Sequence, residues 1–113
     1  MSQLPYKYIG KMYDAIKYVD SYKINHVEIS HEYTELYHEK YYDICHYDTQ
    51  IARLYPSSNV VSVFDGAYSR SDANIINSFL ILFGMSERVA YSKKYGIYVK
   101  DEWVIKQYLY NKP

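Results

Sequence analysis

The stretch "VVSVFDGAYSRSDANIINSFLILFG", residues 60–84, decides the fold. Its opening "VVSVF" is β-branched or aromatic at all but one position and reads as a strand. From Ser71 onward the apolar period changes: Ile75, Ile76, Phe79, Leu80 and Phe83 fall on one helical stripe, and Gly84 offers a left-handed stop. The reading predicts a helix over residues 72–83, packed on a sheet through Ile76, Phe79, Leu80 and Phe83. Ser71 or Asp72 is the expected N-cap, because an oxygen there can accept an orphan amide hydrogen of the first turn. Asn77, polar within an apolar helix, is expected to bond the backbone of an adjacent loop.

Working outward, Ile9, Met12, Tyr13, Ile16 and Val19 recur at helical spacing, which predicts an amphipathic helix over residues 10–21 with Lys11, Asp14 and Lys17 outward. In "KINHVEIS" (23–30), Val27 and Ile29 alternate with His26 and Glu28, as in a half-buried strand. Residues 40–47, "KYYDICHY", and 49–55, "TQIARLY", read as two short strands or one bent one, and "PSSN" (56–59) supplies a turn before residues 60–64 pair back. Beyond Gly84, "RVAYS" and "GIYVK" flank "KKY" as a second hairpin, and Asp101 is placed to cap a last helix carrying Trp103, Val104, Tyr108 and Leu109. The expected class is α+β: one compact domain over residues 1–113, with an antiparallel sheet of about four to six strands, a helix packed on it and terminal helices. Parallel pairing is disfavoured, since helices long enough for crossovers lie only at the start, after Phe64 and at the end. The expected core holds Val27, Ile44, Ile51, Leu54, Val61, Val63, Ile76, Phe79, Leu80 and Val99.

A chain of 113 residues with 13 basic and 13 acidic side chains has no net charge to draw it to nucleic acid or anionic lipid. A nucleic-acid role would need a local patch, for which Arg53, Arg70, Arg88, Lys93 and Lys94, beside tyrosines able to stack on bases, are the candidates. No apolar run approaches the roughly 20 residues of a membrane span, and "MSQLPYKYIG" lacks the apolar core of a secretory signal. With Cys45 the lone cysteine, the expectation is a cytoplasmic protein with no intramolecular disulfide.

Tyrosine is the compositional oddity, seventeen against three phenylalanines and one tryptophan. It suits a half-buried strand, with its ring on the core and its hydroxyl at water. It equally suits an interaction surface, giving large contact area at low entropy cost. The candidates for metal or nucleophilic chemistry are His26, His31, His38 and His46 with Cys45, at spacings that match no zinc pattern. Cys45 and His46, adjacent in a strand, point to opposite faces and so do not form a nucleophile–base pair. His46 with Asp48 and Arg53 could serve acid–base chemistry on a phosphodiester, though nothing in the spacing demands it. No cofactor motif is present, neither G-x-x-x-x-G-K-[ST] nor G-x-G-x-x-G. The corner at residues 65–72 has two readings, a capped turn or an anion contact made by Gly66, the serine hydroxyls, free helix amides and Arg70.

The segments "YYDICHYDTQIARLYP", "VVSVFDGAYSRS" and "ANIINSFL" resemble a family of small, functionally uncharacterised proteins encoded by phages, archaeal viruses and related mobile elements. The family pattern runs H-x-T-x-I-x-R, a glycine-aromatic corner, threonines, then R-I-N in a helix. His46, Thr49, Ile51 and Arg53 answer to its first part, with one extra residue between His46 and Thr49. Gly66, Tyr68, Ser69, Ser71, Ile76 and Asn77 answer to its second. Ala67 replaces the usual second glycine, serines replace the threonines, Ile75 replaces the arginine, and the corner is one residue shorter. The resemblance covers under half the chain and implies a viral or mobile-element origin, not a reaction. With no catalytic set, the expected role is binding a host protein, for instance an antiviral defence component such as a CRISPR effector. The contact residues would be His46, Arg53, Tyr68, Ser69 and Arg70. A nucleic-acid-binding regulator and a small nuclease or hydrolase built on His46 are the alternatives, and a homodimer is compatible with each.

Overall fold

The computed structural model describes residues 6–36 and 38–100. Helix α1 (Lys7–Ala15) precedes five strands, β1 (Ser21–Ile24), β2 (Val27–Thr34), β3 (Glu39–His46), β4 (Thr49–Tyr55) and β5 (Val60–Val63), which pair in chain order as one antiparallel sheet. Helix α2 (Arg70–Leu82) follows, then β6 (Arg88–Ser92) and β7 (Gly96–Lys100), an antiparallel hairpin of its own. The class is α+β, with the antiparallel sheet and packed helix that the sequence predicts. The expected last helix, from Asp101 onward, lies outside the described residues.

Tight turns build the sheet. Asn25 and His26 join β1 to β2, and Tyr47 and Asp48 join β3 to β4, all four with positive φ (51°, 67°, 51° and 64°). Consecutive left-handed residues match the right-handed twist of flanking strands, which is why two-residue hairpins favour them. The alternation in "KINHVEIS" is therefore two strands and not one: Lys23 pairs with Glu28 and Ile24 with Val27 across the turn. His26 belongs to the turn, not to a strand face.

Directly opposed residues share a face. Ile29, Ile44 and Ala52 thus line one side with Val27, Leu54 and Val61, and all six are buried. The β3–β4 ladder slips at this level: Ile44 pairs with Ala52 but Cys45 with Gln50, leaving Ile51 as the extra residue of a bulge. Without it Thr49 and Ala52, three apart, would face opposite ways. With it, His46 and Thr49, opposed in the ladder, both stand on the core face.

Helix α2 lies over that face. Ile76, Phe79 and Leu80 have no exposed surface, and each such side chain contributes about 1.5–3 kcal/mol on burial. Phe83, half-buried, sits 5.0 Å from the Tyr13 ring and 4.4 Å from Tyr42. Gly84 then takes φ 71°, the left-handed stop expected of it. Asn77 bonds backbone, though of strand β6 and not of the expected loop: its Nδ2 donates to the Val89 carbonyl and its Oδ1 accepts from the Val89 amide, each 2.8 Å, tying β6 to the helix. Val63 and Val99 are only partly buried against the core.

Helix α1 ends earlier than predicted. Ile9, Met12 and Ile16 are buried as the stripe requires, but Tyr18 and Val19 stand exposed beyond the helix end. The cause is the sheet: His31 donates its amide to the Asp20 carbonyl and bonds the Val19 carbonyl through Nε2, holding that backbone for the approach to β1.

Candidate functional site

The β3–β4 turn and the corner between β5 and α2 enclose a pocket of about 270 Å³. Gly66 makes the close approach possible, since a Cβ there would overlap the γ-methyl of Thr49. The chain turns with Ala67 donating to the Phe64 carbonyl at 3.0 Å, and Ser69 then caps α2. The cap is neither Ser71 nor Asp72 as expected. Ser69 Oγ accepts from the Asp72 amide at 3.1 Å while Asp72 Oδ2 accepts from the Ser69 amide at 3.3 Å, a reciprocal capping box. The box starts α2 two residues ahead of the predicted boundary.

Asp72 reaches further. Its Oδ2 also accepts from the Tyr68 amide at 3.2 Å, and its Oδ1 lies 2.7 Å from His46 Nδ1. The two side chains are 5% and 16% exposed, so this is a shielded pair. A carboxylate can only accept, so the shared proton sits on Nδ1, and in the neutral ring Nε2 becomes an acceptor. The Tyr47 ring stacks on that of His26 at 4.5 Å and lies tilted against that of His46 at 4.6 Å. Even so, Tyr47 is 65% exposed and Tyr68 73%, so the pocket has a polar floor and an aromatic rim.

The suggested acid–base grouping of His46 with Asp48 and Arg53 is not assembled. Exposed Asp48 faces Lys23 at 3.4 Å, and Arg53 lies on the opposite face of the sheet. There Arg53 clasps both oxygens of Asp43, at 2.6 and 3.2 Å, and stacks over the Tyr41 ring at 4.3 Å. The Asp43 carboxylate pushes the Arg53 pKa further up. Cys45 shares that face, and its thiol pKa is raised by burial and by Glu28, Asp43 and Asp48 nearby.

Of the residues singled out from sequence, His46, Tyr68 and Ser69 meet at the pocket, whereas Arg53 does not. Arg70 begins α2 with its guanidinium 5.7 Å from the Tyr91 ring. Arg88 hydrogen-bonds the carbonyls of Met85 and Glu87, and Lys93 and Lys94 lie in the β6–β7 turn, so the candidate basic residues sit on separate elements. Two stretches distant in sequence converge: His46, Thr49 and Ile51 from one, and Gly66, Tyr68, Ser69 and Ser71 from the other, line the same pocket. Sequence reasoning missed Asp72 as the partner of His46 and Tyr47 as a rim residue. The S-x-x-D spacing of Ser69 and Asp72 was a legible signal for the capping box, and neither the contact of Asp72 with His46 nor the place of Tyr47 has a local one.

Among the described residues no three His, Cys, Asp or Glu side chains are grouped to hold a metal ion, and no helix is long and apolar enough to cross a membrane. Comparison with protein-family models, with curated proteins and with solved structures finds no match for this chain.

Proposed function

We propose that this chain is a small binding protein of viral or mobile-element origin that acts by occupying a host protein, for instance a component of an antiviral defence system such as a CRISPR effector. The pocket and its rim are the contact surface. The observation that carries the reading is the pair of exposed tyrosine rings, Tyr47 and Tyr68, set around a floor locked by the His46–Asp72 bond. Rigid aromatic anchors beside a concave polar site are the features that dominate binding energy at protein interfaces.

The test is a pair of affinity captures from host extract, one with the wild-type chain and one with a Tyr47→Ala/Tyr68→Ala variant of equal melting temperature. The expected result is a host protein retained by the first and lost by the second, and then bound directly when both partners are purified. Identical captures by the two baits would overturn the reading.

One observation favours a second reading, a small hydrolase. A histidine anchored through Nδ1 by a shielded carboxylate is arranged as a general base is. Turnover of an ester or phosphodiester by the purified chain, abolished by His46→Ala in a folded variant, would establish that reading over the first.

A further inference from the structure

Resting on the pocket as the docking surface, its chemistry narrows what enters it. Among the described residues that line it, Asp72 is the one carboxylate and none is a lysine or arginine. The start of α2 would favour an anion by its dipole, but the Asp72 carboxylate already holds that place, bonded to the Tyr68 and Ser69 amides. A second anion would sit against the first. What the lining offers is the exposed residues Thr49 and Ser71, whose hydroxyls can accept, the His46 ring held through Nδ1 by Asp72, and tyrosine rings at the rim. At about 270 Å³ the space falls below the ~300–1,000 Å³ of pockets that enclose drug-sized ligands, and it suits one large side chain.

We propose that the pocket receives an arginine side chain presented by the partner protein. A guanidinium carries only donors, in a planar fork that matches several acceptors at once, and its flat face stacks on tyrosine. The rings of Tyr47 and Tyr68 attract a cation through their quadrupoles, and the Asp72 charge beneath adds to that attraction. Lysine, a compact and strongly hydrated charge, gains less from the same set. Phosphate or a nucleotide meets the wrong sign.

The probes are N-acetyl-arginine amide, N-acetyl-lysine amide, N-acetyl-glutamine amide and inorganic phosphate, each titrated into the 15N-labelled chain and followed by amide shifts. The arginine probe is expected to move the amides of Tyr47, Thr49, Tyr68 and Ser71 along one saturable, millimolar curve. The lysine probe should bind at least threefold more weakly, and glutamine amide should leave these amides in place. Tyr68→Ala, which removes an exposed ring without touching the cap, should weaken the arginine probe severalfold. Silence with arginine, equal shifts with glutamine amide, or phosphate moving the same amides would overturn the proposal. If host capture depends on Tyr47 and Tyr68 while the arginine probe stays silent, the docking surface stands and the arginine does not. Arginine binding without any such capture supports the cation site and removes the docking role.

Discussion

Replacing Asp72 by alanine tests the joint between helix and sheet. The substitution removes one hydrogen bond to His46 across 2.7 Å and two from the amides of Tyr68 and Ser69. A hydrogen bond involving a charged group contributes about 1.5–3 kcal/mol. Losing half of a capping box costs about 0.5–2 kcal/mol. Together they predict a loss of roughly 2–5 kcal/mol, a large share of the 5–15 kcal/mol that holds a domain of this size. Asp72→Asn keeps the shape and an acceptor but not the charge, and should cost about half as much. Arg70→Ala, at an exposed position whose side chain makes none of these bonds, should cost less than about 0.5 kcal/mol. Urea unfolding followed by circular dichroism reads the differences as shifts in midpoint at constant slope. A double-mutant cycle with His46→Ala should return a coupling of about 1–3 kcal/mol. If Asp72→Ala lies within about 0.5 kcal/mol of wild type, or is no less costly when His46 is already alanine, the joint is not what holds the corner.

Gly66→Ala should destabilise by about 1–3 kcal/mol, because its methyl meets that of Thr49, and adding Thr49→Ser should recover much of the loss; unfolding midpoints of the single and double variants check this. Asn77→Ala leaves the Val89 amide and carbonyl without their partner and should cost about 1–3 kcal/mol, read by hydrogen exchange as lost protection at Val89. Because the Cys45 pKa is raised, its thiolate fraction at neutral pH is below that of a free cysteine, so iodoacetamide should react with it more slowly than with a cysteine peptide and accelerate only at more alkaline pH. A rate equal to the peptide's at pH 7.5 would contradict the cause assigned to the shift.

What could be read in the sequence follows period and composition. The stripe from Ile75 to Phe83 and the stop at Gly84 specified α2, and "PSSN" marked the β4–β5 turn, because each is a local signal. The Asn25–His26 turn was not legible, since His26 keeps the strand alternation on paper and only its left-handed backbone breaks it. The bulge at Ile51 was hidden for the same reason: a register slip depends on two strands, and one string of residues does not reveal it. His46, Tyr68 and Ser69 were recognisable as candidates individually. Their meeting over Asp72 is tertiary, made by a helix docking 26 residues along the chain from the histidine it holds. Arg53 was misplaced because side-chain direction in β4 reverses at the bulge.

Tyr47 occupies a backbone conformation that glycine and asparagine adopt readily and that costs a bulky residue about 1–2 kcal/mol. Its stacking on His26 and its tilted contact with His46 recover about 0.5–1.5 kcal/mol. The two nearly cancel, so an asparagine at this position would fold about as well as the tyrosine does. Stability alone therefore gives selection almost no grip on the residue. A ring maintained there through drift would have to be maintained by whatever touches it, and a comparison of the relative constancy of positions 47 and 25, two turn residues under the same backbone demand, would separate the demands of the fold from those of the surface.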